Sequence, residues 1–167
     1  ADRQLGRLLT NLSVRQQRGQ RLAVIVTADH GEDLTTFERH HGMVLDDGVV
    51  RVPLLLSLPD DRTGRTISAP GSLVDIMPTV LGELGVPAPR ELDGVDLRES
   101  ASGTPPAGRV VISETWRFDH EGRRTVDQLA AISSRTREVF DVLDQDWISG
   151  DAGMGATAER RSLEAYL

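Results

Sequence analysis

The residues best suited to chemistry lie together in the sequence VTADHGEDL, where Asp29, His30 and Glu32 follow an apolar run. Adjacent side chains of a strand point to opposite faces, so Asp29 and His30 can converge only if the backbone turns there. Gly31 permits such a turn. A carboxylate oxygen and an imidazole nitrogen presented together suit Mn, Zn or Ca, and Zn and Mn gain most from the imidazole. The pattern predicts part of a divalent-metal site, whose remaining ligands must come from elsewhere.

A second group of titratable side chains follows in the same polar stretch, where His40 and His41 precede Gly42. A loop of about a dozen residues can return this pair to the turn at Asp29 and His30. An isolated Asp-His-Gly is more often an ordinary turn, and histidines in a polar stretch can equally be solvated. The order of apolar strand, DHGE, histidine pair, glycine and second strand favours a functional site.

The elements that must position these residues follow the helix-then-strand order of an α/β layered fold. The run from Arg21 to Thr27 predicts a strand buried on both faces of a parallel sheet, and ligands of such sheets bind beyond the carboxyl ends of the strands. Val49 to Leu58 predicts another strand, at an edge or with a bulge because of Pro53. Before them, leucines at one-face helical spacing predict an amphipathic helix over roughly the first 18 residues: Leu5, Leu8, Leu9 and Leu12.

The rest of the chain predicts a helix, a link and a small sheet. DIMPTVLGELG predicts a helix with Asp75 as N-cap and an end at Gly85. Its predicted buried face comprises Ile76, Met77, Val80, Leu81 and Leu84. A stretch rich in proline and glycine places a boundary near residue 103, so we expect residues 1–103 and 104–167 to form separate parts. Strand-like runs then predict an antiparallel sheet with a closing helix: Arg109 to Glu114, Gln128 to Ser134, Arg137 to Asp144, and the helix from Ala156 to Leu167.

The composition narrows the classes of function. The 26 acidic and 19 basic residues give a net charge of −7, which argues against non-specific binding of nucleic acid and suits recruitment of a cation. The apolar tracts are too short to span a bilayer, so no membrane contact is expected from this segment. The absence of cysteine excludes thiolate ligands and a cysteine nucleophile. The chain opens within a helical pattern and without Met, which predicts a fragment of a longer protein.

The motifs TADHGE, HHGMVLDDGVVRVPLLL, LVDIMPTVLGELGVP and LDGVDL, in this order, resemble the C-terminal half of sulfatase-like hydrolases of the alkaline phosphatase superfamily. The resemblance implies an α/β/α layered sheet that hydrolyses a small-molecule sulfate or phosphate ester at a divalent metal. In that family the Asp and His of DHG ligate the metal, which corresponds to Asp29 and His30. The His of the following His-Gly contacts the transferred group or a second metal, and it corresponds best to His41. The resemblance leaves Glu32 and His40 in supporting roles, with Glu32 orienting His30.

The resemblance also implies a partner for this chain. The family's nucleophile and further metal ligands lie in an N-terminal half, so we expect this chain to be inactive alone. Arylsulfatases commonly carry a Lys shortly after the His-Gly pair, and this chain has no Lys, so sulfate and phosphate esters both stay open. Two alternatives also stay open: a degenerate binding or structural domain that keeps the fold, and a phosphoethanolamine-type transferase with transmembrane helices upstream.

Overall fold

A computed structural model of the chain describes residues 2–34, 44–61, 64–101, 108–118, 120–149 and 157–166. They form a mixed α/β structure with two antiparallel sheets, which confirms the fold class expected from the sequence. The elements in chain order are α1 (Asp2–Gln17), β1 (Val24–Val26), α2 (Asp47–Val50), β2 (Leu55–Ser57), α3 (Ile76–Glu83), α4 (Leu97–Ala101), β3 (Val111–Phe118), β4 (Arg124–Ile132), β5 (Arg137–Asp141), β6 (Asp146–Ser149) and α5 (Ala158–Tyr166).

Contacts divide the chain into two compact units. The first comprises Ala1–Thr27 and Pro53–Gly64, and the second comprises Ala28–Val52 and Arg65–Leu167. This division does not fall near residue 103, because contacts group residues 65–101 with the sheet that follows them. The separation of residues 1–103 from 104–167 therefore remains a prediction.

The first unit contains α1 and the strand pair β1–β2. The amphipathic helix expected at the start of the chain is confirmed as α1, and the chain leaves it through Gly19, whose φ of 83° is a left-handed value that favours glycine. The parallel sheet expected around Arg21 to Thr27 is wrong: β1 pairs with β2 in antiparallel register, and its residues are half-buried. An unbroken apolar run indicates a strand but contains no information about the direction of its neighbour.

The single strand expected from Val49 to Leu58 is also wrong. Residues Asp47–Val50 form the short helix α2, and only Leu55–Ser57 are a strand. Asp46 and Asp47 begin the helix, where carboxylates are favoured by the partial positive charge of the N-terminus. Pro53 precedes the strand rather than interrupting it.

Helix α3 matches the prediction in its extent and its end. It closes at Gly85, whose φ is 68°, with two hydrogen bonds of the Schellman pattern. The Gly85 N–H donates to the Gly82 carbonyl at 3.1 Å, and the Val86 N–H donates to the Leu81 carbonyl at 2.9 Å.

The buried face predicted for α3 is wrong. Met77 and Leu84 are 58% and 69% exposed and Val80 is exposed as well, whereas Ile76 and Leu81 are half-buried. The buried residues are Pro78 and Thr79, because this side of the helix contacts the LDGVDL segment. The Thr79 hydroxyl accepts a hydrogen bond from the Leu97 N–H at 2.9 Å and donates one to the Asp75 carbonyl.

Asp75 occupies the N-cap position of α3, as the sequence predicts, but its buried side chain does not cap the helix. It ends a 3₁₀ turn, Leu73–Asp75, and its side chain makes no capping bond to α3. Its carboxylate instead accepts hydrogen bonds from the N–H groups of Ser72 and Val95, at 2.7 and 2.9 Å, and from Arg109 at 2.6 Å. A buried carboxylate requires such partners, because removing them leaves an uncompensated charge in a medium of low dielectric constant. Asp75 therefore joins three separate segments.

The four-stranded sheet has the order β3-β4-β5-β6, with every neighbouring pair antiparallel. The expected strands and closing helix are confirmed, and β6 is an additional strand that the sequence did not predict. Apolar side chains cover both faces of the sheet. One cluster contains Leu45, Ala130, Ile132 and Val139, and the other contains Leu129, Ala131 and Leu163 of α5.

Candidate functional site

Asp29 and His30 lie in a bend three residues beyond β1. The Asp29 Oδ1 atom accepts a hydrogen bond from the His30 N–H at 3.0 Å. The other carboxylate oxygen, Oδ2, lies 3.8 Å from Nε2 of the His30 ring. The bend thus brings an acidic oxygen and an imidazole nitrogen together, although these residues are adjacent in the chain. Both side chains reach solvent, at 89% exposure for Asp29 and 41% for His30.

The His30 ring is oriented by the backbone of the next residue. Its Nδ1 atom lies 2.7 Å from the Gly31 carbonyl oxygen. Since a carbonyl can only accept, Nδ1 is the donor, and in the neutral ring the lone pair then resides on Nε2. A carbonyl that fixes the tautomer in this way is a common partner of metal-ligating histidines. The nitrogen that faces Asp29 is therefore the one with ligand character.

The distance between these two atoms fits shared coordination of one cation. Metal–ligand bonds of about 2.0 to 2.5 Å place neighbouring ligands roughly 3 to 4 Å apart. The 3.8 Å between Asp29 Oδ2 and His30 Nε2 lies in that range. In the parts of the chain that the structure describes, no group of three or more acidic or histidine side chains forms a metal site. Asp29 and His30 thus supply two donor atoms, and a complete site requires more.

Gly31 has a different role from the one expected of it. Its φ is not among the left-handed values of the chain, so conformational freedom is not the reason for glycine here. Its N–H donates to the Val49 carbonyl at 2.7 Å, and a Cβ atom at this position would collide with the Gly48 carbonyl oxygen. Only glycine allows the bend to pack directly on the backbone of α2.

Of the other candidate site residues from the sequence, the structure describes only Glu32. Glu32 is exposed, and its proposed action on His30 remains a prediction. His40 and His41 lie outside the described residues, and their roles remain predictions as well. Asp33 is only 5% exposed and was not selected from the sequence, because no local pattern distinguishes a buried acid in an acidic stretch.

Arg137 is the other residue that the sequence analysis missed. It begins β5, and its guanidinium donates hydrogen bonds to the Leu45 carbonyl and, at 2.9 Å, to Asp47 Oδ1. Ninety residues separate Arg137 from Asp47, so no pattern of spacing could have predicted the contact. Arg51 also contacts the Asp47 carboxylate, at 3.0 Å. The segment after the His-Gly pair is thus anchored to the four-stranded sheet.

No helix in the described ranges is long and apolar enough to cross a bilayer.

Comparison with solved structures defines the class of fold. The phosphonate monoester hydrolase of Silicibacter pomeroyi superposes with a TM-score of 0.69 at 24% identity, over 99% of this chain and 38% of that protein. A second protein, solved in complex with its substrate D-glucosamine-2-N,6-O-disulfate, superposes with a TM-score of 0.64 at 21% identity, over 87% of this chain and 30% of that protein. At these identities the likeness shows the fold.

The family follows from the sequence itself. The model of the Sulfatase family matches residues 1–86 of the 167-residue chain, and the chain belongs to that family. Arylsulfatase K of Bos taurus is 37% identical over 83 residues, and that of Homo sapiens is 36% identical over 85 residues. The ulvan-active sulfatase of Formosa agariphila is 35% identical over 83 residues. These matches cover 50%, 51% and 46% of this chain but only 15%, 16% and 16% of the relatives.

Proposed function

We propose that this chain is part of a metal-dependent hydrolase of sulfate or phosphate esters, in which Asp29 and His30 hold a divalent cation. The observation that supports the proposal is the 3.8 Å approach of Asp29 Oδ2 to His30 Nε2, in a ring whose other nitrogen faces the Gly31 carbonyl. Membership of the sulfatase family supplies the class of reaction. Ca, Mn and Zn all accept this donor pair, so the metal is assigned only as a divalent cation.

Each residue of the site contributes a distinct property. Asp29 contributes a negative charge and His30 a neutral nitrogen, and the Gly31 carbonyl holds the imidazole in the required tautomer. A bound divalent cation would supply Lewis-acid activation of an ester oxygen. His41 would stabilise the developing charge or donate a proton to the leaving oxygen, which are ordinary tasks of a positioned imidazole. Glu32 and His40 would support these groups from the same polar stretch of the sequence.

The nucleophile and the remaining metal ligands would come from an N-terminal half of the same catalytic domain. The chain corresponds to 38% of the phosphonate monoester hydrolase and about 15% of the arylsulfatase K sequences. Asp29 and His30 would contribute two donor atoms to this divided site.

The proposed substrate is a small molecule with a sulfate or phosphate ester. Sulfate esters are the first substrates to test, because the relatives found by sequence are named sulfatases. The phosphonate monoester hydrolase shares the fold at lower identity, so aryl phosphates and phosphonates are the second set.

The test uses the complete protein, and a second neighbouring pair of a histidine and an acidic residue in the chain serves as the control. His120 and Glu121 are also adjacent, and their Nε2 and Oε1 atoms are also 3.8 Å apart, but the His120 side chain is 89% exposed in a turn between β3 and β4. Asp29→Ala and His30→Ala should each lower the content of bound metal and nearly abolish turnover. His120→Ala and Glu121→Ala should change neither.

Elemental analysis and turnover of aryl sulfate and aryl phosphate are the two measurements. Full metal content in both Asp29→Ala and His30→Ala would remove the metal assignment. Metal binding without turnover of either substrate class in the unaltered protein would favour a degenerate binding domain instead.

A further inference from the structure

A path of direct contacts connects the four-stranded sheet to the Asp29–His30 bend through helix α2. All of its residues belong to the second compact unit. At the sheet end, the Leu45 side chain is 5% exposed and packs with Ala130, Ile132 and Val139. At the other end, the carbonyls of α2 contact Gly31, which follows His30 directly. Helix α2 therefore touches both the sheet and the bend.

Arg137 fixes the sheet end of this path. Its side chain is 18% exposed, and its donors engage the Leu45 carbonyl and the Asp47 carboxylate, with Asp46 Oδ1 at 3.6 Å. The planar guanidinium can hold several acceptors in one fixed geometry, whereas an ammonium group acts as a single point charge. Arg137 thus restrains the residues at which α2 begins.

At the other end of the path, the contact between Gly31 and α2 leaves almost no room for movement. The Gly31 N–H donates to the Val49 carbonyl at 2.7 Å, and the Gly48 carbonyl occupies the space that a side chain of residue 31 would need. A shift of α2 must therefore shift Gly31. The Gly31 carbonyl in turn lies 2.7 Å from His30 Nδ1, so the shift reaches the imidazole.

We infer that Arg137 is a positioning residue for the metal site, acting through α2 and Gly31 on His30. The contacts of Arg137 on this path are with Leu45, Asp46 and Asp47, so its action on the metal site would be indirect. The inference rests on the proposed function, because it assumes that Asp29 and His30 bind the metal. Partners that orient a ligating histidine typically change metal affinity by about 10- to 100-fold when they are removed.

The next residue of β5 provides a matched control. Adjacent residues of a strand point to opposite faces, and Glu138 accepts a hydrogen bond at 3.2 Å from Arg160 of α5. Arg160 is 22% exposed, close to the 18% of Arg137. Arg160→Ala thus removes a guanidinium of similar exposure, together with its ion pair to Glu138, from the same sheet.

The experiment compares Arg137→Ala with Arg160→Ala in the complete protein, by amide hydrogen exchange without metal and by calorimetric titration with Mn²⁺. In Arg137→Ala we expect faster exchange of the Gly31 amide and a loss of Mn²⁺ affinity of about tenfold. Arg160→Ala should leave both values unchanged. If an alanine variant does not fold, the milder substitutions Arg137→Lys and Arg160→Lys replace it. Arg137→Lys should then show a smaller change in both measurements than is expected for Arg137→Ala.

Unchanged exchange of the Gly31 amide in both Arg137 variants, or equal changes in the Arg137 and Arg160 variants, would overturn the inference. The two readouts also separate this inference from the proposed function. If the unaltered protein does not bind Mn²⁺, Ca²⁺ or Zn²⁺, the proposed function fails, whereas amide exchange still shows whether Arg137 holds the bend.

Discussion

Strand β1 and the last four residues of β4 are both apolar, but only the β4 residues are buried. Residues Leu129, Ala130, Ala131 and Ile132 of β4 are at most 7% exposed, because Leu45 lies on one face and Leu163 of α5 on the other. The three residues of β1 are half-buried, in a two-stranded sheet. An apolar run therefore indicates that a strand is to be covered, but it does not indicate which part of the protein covers it.

The residues that form the buried core differ from the residues proposed to carry out the chemistry. The buried apolar clusters of the described residues lie on the two faces of the four-stranded sheet, where Leu45 packs on one face and Leu163 of α5 on the other. The donor pair Asp29 and His30 instead follows β1, the strand whose cover is incomplete. Changes in the buried apolar clusters should affect the free energy of unfolding, whereas changes near the donor pair should affect turnover.

The largest effect is expected from isolating the chain. The purified 167-residue chain should show no turnover of aryl sulfates or aryl phosphates, because the proposed function places the nucleophile and part of the metal site outside it. Exposed apolar side chains such as Leu8 and Leu84, at 54% and 69%, should also make it associate. The complete protein is the reference in the same assay. Metal-dependent turnover by the monomeric chain would contradict the proposal that the active site is divided between this chain and an N-terminal half. It would also show that the incomplete cover of β1 does not prevent catalysis.

The next effect concerns the histidine pair. His41→Ala in the complete protein should lower turnover about a hundredfold, which is the scale for loss of a positioned acid or charge stabiliser. His40→Ala should have a far smaller effect. Neither change should alter the midpoint of urea unfolding, since both histidines belong to a polar stretch of the sequence. The reverse order of the two variants in steady-state kinetics would show that His40 is the acting residue.

A third prediction tests the difference in burial directly. Leu129→Ala should lower the free energy of unfolding of the complete protein by about 2 to 5 kcal/mol, because it creates a cavity in the core. Leu55 of β2 is 58% exposed in this chain, so Leu55→Ala should cost the isolated chain only about 0.5 kcal/mol or less. If other segments cover the β1–β2 pair, Leu55→Ala should cost more in the complete protein. Equal costs in both contexts, measured by urea unfolding, would show that this pair has no further cover.

Local signals in the sequence predicted the elements well. The helical spacing of leucines gave α1, the Gly85 C-cap gave the end of α3, and apolar runs separated by short turns gave the sheet. These features depend on neighbours within a few residues. The position of Asp29 and His30 just beyond a strand was predicted for the same reason, since DHG directly follows the apolar run.

Features that depend on distant residues were not predictable. The direction of β1 depends on its pairing with β2, and the burial of α3 depends on the LDGVDL segment. Asp75 has the type and position of an N-cap, but its carboxylate binds groups 20 and 34 residues away. Likewise, Gly31 packs on α2, which the sequence presented as a strand. In each case a long-range contact overrode a local preference.

The smallest predicted effect concerns the attachment of α5 to the four-stranded sheet. Glu159 is 7% exposed, and burial alone would raise the pKa of its carboxyl. Hydrogen bonds from the hydroxyls of Ser133, Thr136 and Thr157 outweigh burial, so its pKa lies below the ordinary value of 4.5. A carboxyl with a lowered pKa stabilises the folded state above its ordinary pKa, and this stabilisation is lost as the pH falls through the lowered value.

The corresponding experiment follows the urea midpoint of the complete protein from pH 7 to about pH 3, a window that spans the ordinary pKa of Glu. The unaltered protein should lose more stability over this range than Glu159→Gln, whose side chain does not titrate. Glu164→Gln is the matched control, because Glu164 lies on the same helix but is exposed, and it should follow the unaltered protein. Identical pH profiles for Glu159→Gln and Glu164→Gln would mean that the Glu159 carboxyl does not help to hold α5. The attachment of α5 to the sheet would then rest on the packing of Leu163, the same kind of apolar burial that distinguishes β4 from β1, and on the ion pair of Arg160 with Glu138.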